Sequence, residues 1–277
     1  MAKGRLFTVL AALWVFVFPA AAMALESGLE SASNCVTEPL RQAKLAFPIS
    51  GRVAEKRVKE GQRVKRGEVI YLLERRREQL EEKRAKLLLE DRSALNGARA
   101  REQMLGKQLT INRRLFERNQ SISREELDKL ILEHELALQE HARLVNEKRR
   151  QKVDHALAAE SLRLRALSAP IDGVAASLKF EPGEMIDANQ LAAHLVDVRS
   201  GVAVCHVEDQ LARRLPVGAQ VSLRILSGAP VMRRGEVIFA APLMDPSSGL
   251  RRVKIAFENT DNAVILGAPA AIDGVTP

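Results

Sequence analysis

Residues 46–74 read Ala-Phe-Pro-Ile-Ser-Gly-Arg-Val-Ala-Glu-Lys-Arg-Val-Lys-Glu-Gly-Gln-Arg-Val-Lys-Arg-Gly-Glu-Val-Ile-Tyr-Leu-Leu-Glu. Residues 168–196 read Ser-Ala-Pro-Ile-Asp-Gly-Val-Ala-Ala-Ser-Leu-Lys-Phe-Glu-Pro-Gly-Glu-Met-Ile-Asp-Ala-Asn-Gln-Leu-Ala-Ala-His-Leu-Val. A single offset of 122 superimposes Pro48 on Pro170, Ile49 on Ile171, Gly51 on Gly173 and Gly61 on Gly183. The same offset carries Val64 onto Ile186, Val69 onto Leu191 and Leu73 onto Leu195. A gapless register over that length is an internal repeat. Each copy alternates apolar and polar residues in short runs broken by glycine, which predicts strands and turns. Gly51, Gly61 and Gly67 stand where tight turns call for positive φ. Neither copy has the apolar surface to fold alone, so the two are expected to close into one small β-sandwich.

Between the copies the composition changes. From Glu74 to about Asn119 there is no proline, and the residues are mainly Arg, Glu, Lys, Leu, Ala and Gln, which are good helix formers. Leu88, Leu95, Leu109 and Phe116 fall on one heptad series, broken by Glu102, and Ala98 and Leu105 on the interleaved one. After Asn119-Gln-Ser-Ile-Ser, the Ser123-x-x-Glu126 capping box starts a second helix that should run to about Ala166, with Leu127, Leu130, Ile131, Leu138, Leu144 and Val145 on its apolar side. Helices of that length, at ~1.5 Å per residue, make a rod of roughly 65 Å. The rod leaves the first half-motif at Leu73 and returns at Ser168, so it is an insertion at the turn joining the halves. After Val198, short apolar runs with turn signals predict a small β-barrel.

The pattern resembles the split biotinyl/lipoyl-type half-motifs of periplasmic adaptors, the membrane fusion proteins of the haemolysin-secretion type, because both halves are present and a helical hairpin separates them. The resemblance implies an elongated, modular α+β protein: a split lipoyl-like β-sandwich, an inserted two-helix coiled-coil hairpin and a small β-barrel. The expected division is 1–24 signal peptide, 25–45 leader and first barrel strand, 46–73 lipoyl-like half 1, 74–167 hairpin, 168–198 lipoyl-like half 2 and 199–277 barrel. It further implies an adaptor between an inner-membrane transporter (resistance-nodulation-division, ABC or major-facilitator type) and an outer-membrane channel, self-associating into a ring. Families serving resistance-nodulation-division pumps usually continue into a fourth, membrane-proximal domain; with the sequence stopping at Pro277, that domain is expected to be missing or supplied otherwise.

The chain opens with Met-Ala-Lys-Gly-Arg, an apolar run from Leu6 to Phe18, and Ala22-Met-Ala24. That is the layout of a secretory signal peptide cleaved after Ala24, the alternative being an uncleaved anchor. The expected location is the periplasm. The net charge of +8 includes Lys3 and Arg5 of the signal. Export, and the lack of aromatic residues interleaved with the basic ones, exclude nucleic acid as a partner. In an oxidising compartment Cys35 and Cys205 are candidates for an intrachain bridge, the alternative being a buried Cys205 and a free Cys35. In the resembling fold both segments lie in one barrel.

No phosphate loop and no nucleophile motif occurs, so no catalytic residue and no cofactor is assigned. A biotin or lipoyl carrier needs one modifiable lysine on the turn between the halves, and here the hairpin replaces that turn. His134 and His141 are one heptad apart, with His155 two further along; seven helical residues span ~10 Å, too far for one ion. Cys205 and His206 point to opposite faces of a strand. No metal ligand is therefore assigned, and a periplasmic metal chaperone or metal-efflux adaptor is the alternative reading. Complementary charge between neighbouring rods is sought in Arg75–Arg77 and Lys148–Arg150 against Glu81, Glu82 and Glu133. At the hairpin tip many adaptors carry an Arg, a Leu four residues on and a Ser seven beyond. Here those places hold Asn112, Phe116 and Ser123. The resemblance implies a contact of Phe116 and Ser123 with the outer-membrane duct, with Arg114 or Arg118 supplying the cation.

Overall fold

A computed structural model describes residues 34–276. The signal-peptide reading of residues 1–24 and most of the leader lie outside the described residues. In chain order the elements are β1 (Asn34–Pro39), β2 (Gln42–Ala46), β3 (Gly51–Lys56), β4 (Arg63–Val64), β5 (Val69–Leu73), α1 (Arg76–Glu90), α2 (Ser93–Asn119), α3 (Arg124–Arg163), β6 (Ala166–Ser168), β7 (Gly173–Leu178), β8 (Met185–Ile186), β9 (Leu191–Val196), β10 (Ser200–Val207), α4 (Asp209–Arg213), β11 (Gln220–Ser227), β12 (Ala229–Ala240), β13 (Arg251–Glu258) and β14 (Pro269–Thr276). They form an elongated α+β architecture of two facing four-stranded sheets, long helices and a closed barrel.

The repeat lands strand on strand: an offset of 122 takes the start of β3 to that of β7, of β4 to β8 and of β5 to β9. The halves do not pack as separate units. One sheet runs β2-β9-β7-β4 and the other β6-β5-β3-β8, so each mixes strands of both halves. The turns cross over reciprocally. Gly61 N–H donates to Ala175 O and Gly183 N–H to Val53 O, both at 2.8 Å. Gly67 N–H donates to Ala169 O and Asn189 N–H to Phe47 O, both at 2.7 Å. Inside each turn a side chain caps the backbone in the same way: Gln62 Oε1 accepts from Lys59 N–H, and Glu184 Oε2 from Glu181 N–H. The shared core holds Phe47, Val53, Ile70, Tyr71 and Leu73 from one half and Ala175, Ile186 and Leu195 from the other. Tyr71 is fully buried, and its hydroxyl donates to Phe180 O at 3.0 Å and accepts from Phe180 N–H at 3.2 Å.

Gly61, Gly67 and Gly183 have φ of +79°, +86° and +97°. Gly51 does not. It opens β3, and its lack of a side chain admits Arg165 Nη1 and Leu73 Cδ1, each 3.0 Å from where a Cβ would stand. The glycine expected as a turn residue is thus a close-approach residue at the hairpin root.

The barrel has the order β1-β10-β13-β12-β11-β14 and closes through β1 and β14. Its core includes Val207, Leu215, Leu223, Ile225, Val253, Ile255 and Phe257. Cys35 stands directly opposite Cys205 in the β1–β10 register, and the two are joined by a disulfide, with Cα atoms 4.0 Å apart. Strand β1 ends at Pro39, and β2 already pairs with β9 in the sandwich. The changeover therefore lies at Leu40–Arg41, earlier than the expected boundary at 45; the run Gln42–Ala46 is too weakly patterned to show which sheet claims it.

Sandwich and barrel are joined twice, at Leu40–Arg41 and at Asp197–Arg199. Leu40 N–H donates to Ser200 O and Asp197 N–H to Arg41 O, so the two crossings brace each other. Asp197, only 4 % exposed, takes two hydrogen bonds from the Arg199 side chain at 3.0 Å. Those bonds, more than any other influence, hold its carboxyl below the ordinary carboxylate range.

Two outcomes follow for stability. Gly61→Ala and Gly183→Ala meet no atom within 4 Å of the new Cβ, so each should cost only the left-handed strain, about 1–2 kcal/mol. Gly97→Ala, equally unobstructed but inside α2, should stabilise by about 1 kcal/mol. Urea unfolding of the three variants checks this, and equal effects at Gly61 and Gly97 would contradict it. Replacing Cys35 and Cys205 together by serine should lower unfolding free energy by about 2–5 kcal/mol. A double variant as stable as the parent would show that the bridge adds nothing to the barrel.

Candidate functional site: the helical hairpin and its tip

The hairpin is long and almost coreless. Among its described residues only Leu105, Leu127 and Ala137 are buried, and α1 has no buried residue. Its two sides are held by a mixed seam. Leu105 and Leu109 of α2 and Leu127, Leu130 and Ala137 of α3 are buried or half-buried, as are Leu89, Leu95 and Leu144 nearer the root, and polar pairs stand among them. His141 Nδ1 meets Glu102 Oε2 at 2.6 Å, and His155 Nε2 meets Glu82 Oε1 at 2.9 Å, each side chain about a quarter exposed. Glu102, which interrupts the heptad series in the sequence, is thus the partner of a seam histidine. His134 lies against Gly106: a Cβ there would be 3.1 Å from its Nε2.

The first helix is not continuous. It breaks at Asp91–Arg92 into α1 and α2, which corrects the single helix expected from Glu74 to Asn119. Asp91 Oδ1 accepts from Ser93 N–H at 3.0 Å and from its hydroxyl at 2.6 Å, a side-chain turn that competes with helix. The carbonyls freed at the end of α1 are met by Lys148 of α3, whose Nζ donates to Leu88 O at 2.7 Å and to Gln151 Oε1 at 2.8 Å. The lysine read as a charged station for neighbouring rods therefore works inside the hairpin as a C-terminal cap. Glu82 is likewise taken by His155, Glu81 by Arg77, and Arg150 by Glu147.

The root is pinned. Arg165 Nη2 meets Glu78 Oε1 at 2.7 Å with the carboxylate 12 % exposed, Leu73 N–H donates to Arg165 O, and Glu74 N–H to Arg52 O. At the other end α2 stops at Gln120 in the left-handed region (φ +50°), whose N–H donates to Phe116 O at 3.1 Å. Ser123 caps α3 in a full capping box with Glu126. Arg114, Arg118 and Ser123 are exposed, whereas Phe116 and Ile122 are half-buried. The sequence brings these residues to one end of the molecule but does not reveal that Phe116 is partly covered.

No group of three or more His, Cys, Asp or Glu among the described residues could hold a metal ion. Among the described residues no helix is long and apolar enough to cross a membrane. The apolar cleft between sandwich and barrel, lined by residues such as Val36, Val174, Val196, Val264 and Leu266, has about 610 Å³ and carries no cluster of reactive side chains.

The fold is shared with solved structures. MacA from Actinobacillus actinomycetemcomitans is 16 % identical at a TM-score of 0.64, over 88 % of this chain and 78 % of that one. A MacA–MexA chimera with the Pseudomonas aeruginosa MexA α-hairpin domain is 16 % identical at 0.57, over 88 % and 79 %. The membrane fusion protein Spr0693 from Streptococcus pneumoniae R6 is 13 % identical at 0.56, over 88 % and 97 %. Comparison with proteins of curated function returns no match. A protein-family model described as RND MFP, barrel-sandwich hybrid domain, matches residues 41–198, the two sandwich halves with the hairpin between them. That match spans more than half of the 277 residues, and the chain belongs to the RND-type membrane fusion proteins, periplasmic adaptors rather than enzymes.

Proposed function

We propose that this chain is the periplasmic adaptor of a multi-component export system, linking an inner-membrane transporter to an outer-membrane channel. The observation that carries the reading is the hairpin itself. A 40-residue α3, about 60 Å long at ~1.5 Å per residue, stands on a sandwich whose halves are locked across one another. A projection with so little core has no use as an independent domain, and its pinned root suits it to transmit position from base to tip.

In this reading residues 46–73 and 168–198 are the lipoyl-like halves, 74–167 the coiled-coil hairpin and 199–277, with β1, the barrel. Copies assemble as a ring through sandwich and barrel on the transporter. A resistance-nodulation-division partner is favoured by the family match, with ABC-type and major-facilitator-type exporters as the other candidates. The tip meets the channel through Arg114, Arg118 and Ser123, grouped around Phe116. The exported protein resides in the periplasm.

Because Phe116 is half-buried, the arginines are the cleaner probe. Arg114→Glu with Arg118→Glu should abolish export and tip-to-channel cross-linking while helix content and melting stay unchanged. Phe116→Ala should reduce cross-linking and also lower stability, by about 1–2 kcal/mol for a partly buried aromatic. Full cross-linking by the double arginine variant would refute the tip contact.

A further inference from the structure

The barrel has one end turned to the sandwich and one turned away. Leu40 and Ser200 meet at the sandwich end. From there β10 runs eight residues, about 25 Å, to Val207, which stands opposite Arg251 of β13. The far end is therefore built from α4, the turn Pro216-Val217-Gly218 and the loop from Ala241 to Leu250. It is also turned away from the hairpin, which rises from the other edge of the sandwich.

Apolar side chains gather at this far end. Leu243 is 79 % exposed, the most of any large apolar residue among those described; Val217 is 66 %, Met244 48 % and Ile238 43 % exposed. Gly218 N–H donates to Val237 O, and Val237 N–H to Ala219 O, which sets Val217 beside Ile238. The loop that carries Leu243 and Met244 is closed at two levels. Arg251 donates to Ala241 O at 3.0 and 2.7 Å, and Asp245 N–H donates to Leu250 O at 2.9 Å. Inside the loop the Asp245 carboxylate accepts from Ser247 N–H and Ser248 N–H, both at 2.9 Å. Pro242-Leu243-Met244 is thus held out into solvent on a braced backbone. One exposed leucine needs no explanation, but four apolar residues gathered at one end do.

Two arginines flank the patch. Arg252 lies 5.8 Å over the ring of Phe239, and both line a hollow of about 400 Å³ with His206, Leu243 and Met244. Arg214 is exposed at the end of α4. Of the three carboxylates at this end, Asp209 is bonded to Arg213 and Arg251, Asp245 is turned into its own loop, and Glu208 opens α4. The chain also reaches the fold here, because Asn34, His206 and Arg252 stand abreast on β1, β10 and β13. Fifteen residues separate Asn34 from Phe18, the last of the apolar run Leu6–Phe18. Fifteen residues reach at most about 50 Å.

We infer that this end of the barrel rests on a lipid surface, the periplasmic leaflet of the inner membrane. Leu243 and Met244 enter the boundary between headgroups and acyl chains, with Val217 and Ile238 at its edge. Arg214 and Arg252 lie at the level of the phosphates, which arginine pairs bidentately. The prongs are aliphatic and braced, the flanking cations suit phosphate, and the preceding apolar run has the chemistry of a bilayer segment. Those three features favour lipid over a protein groove. The inference takes from the adaptor reading only which end faces the inner membrane.

The test is flotation of the exported chain with phosphatidylethanolamine–phosphatidylglycerol vesicles and with phosphatidylcholine vesicles. The parent should bind both, and the anionic vesicles more tightly. Leu243→Ser with Met244→Ser should weaken binding to both at least about tenfold. Arg214→Gln with Arg252→Gln should weaken binding to the anionic vesicles alone, about fivefold per arginine. Met185→Ser, on the sandwich and 62 % exposed, should change nothing. A bimane label at Leu243→Cys should shift to the blue on vesicles, and one at Met185→Cys should not. A parent that floats with neither vesicle overturns the inference; if the tip arginines still govern cross-linking to the channel, the adaptor reading stands and only this surface falls. A Leu243–Met244 variant that floats as the parent does also overturns it, and loss of export by that variant would assign the patch to the transporter instead.

Discussion

The rest of the molecule depends on a reciprocal exchange of backbone hydrogen bonds between two short sequence copies. The turn at Gly61 bonds to Ala175 and the turn at Gly183 bonds to Val53, so each half satisfies the other's main chain. Buried backbone groups must be paired. Here the partners come from more than a hundred residues away in sequence, so neither half can be complete before the other arrives. That condition explains how an excursion of about ninety residues is tolerated between them. Loop-closure cost grows only logarithmically with length, and the excursion forms its own helices, so the sandwich meets a stiff two-stranded stem and not a long flexible loop.

The stem's attachment follows from the same lock. Strand β5 ends at Leu73, whose N–H is bonded to Arg165 O, so both legs of the hairpin are tied together at the sandwich surface. The Arg165–Glu78 pair lies over Gly51, where any side chain would have to displace the guanidinium or Leu73. At the other pole of the sandwich, Asp197 and Arg199 tie the barrel down. Asn259 reinforces that junction, accepting from Val264 N–H and donating to Val198 O and Val264 O. Hairpin and barrel are therefore held by short polar locks at two edges of one interlocked core.

Much of this was legible in the sequence where the signal is local or periodic. The repeat gave the equivalence of β3 with β7, β4 with β8 and β5 with β9, because turns and alternation are written into contiguous residues. Ser123 and Glu126 announced the start of α3 for the same reason. The break at Asp91 was missed because its cap, Lys148, lies about sixty residues away, and Asp-Arg-Ser inside a run of good helix formers is a weak breaker on its own. The side taken by Gln42–Ala46 depends on β9, a distant strand. Glu102 looked like a flaw in a heptad and is half of a seam pair, which only the register of the two helices reveals. At the tip, the positions of Arg114, Phe116, Arg118 and Ser123 at one end could be read, and the partial burial of Phe116 could not.

The hairpin inverts the usual arrangement of an amphipathic pair. Two helices cannot enclose a core, so apolar residues in the seam are shielded from one side only and gain less than they would in a bundle. Glutamate–histidine pairs and a capping lysine can stand in such a seam at modest desolvation cost, because each remains about a quarter exposed or bonds to carbonyls already partly wet. What they add is position: each fixes which residue of one leg faces which residue of the other. Leu80, Leu87, Leu132 and Leu157, 59–63 % exposed, gain nothing in the isolated chain. The polar pairs of the seam therefore set the register of the two legs while adding little burial of their own.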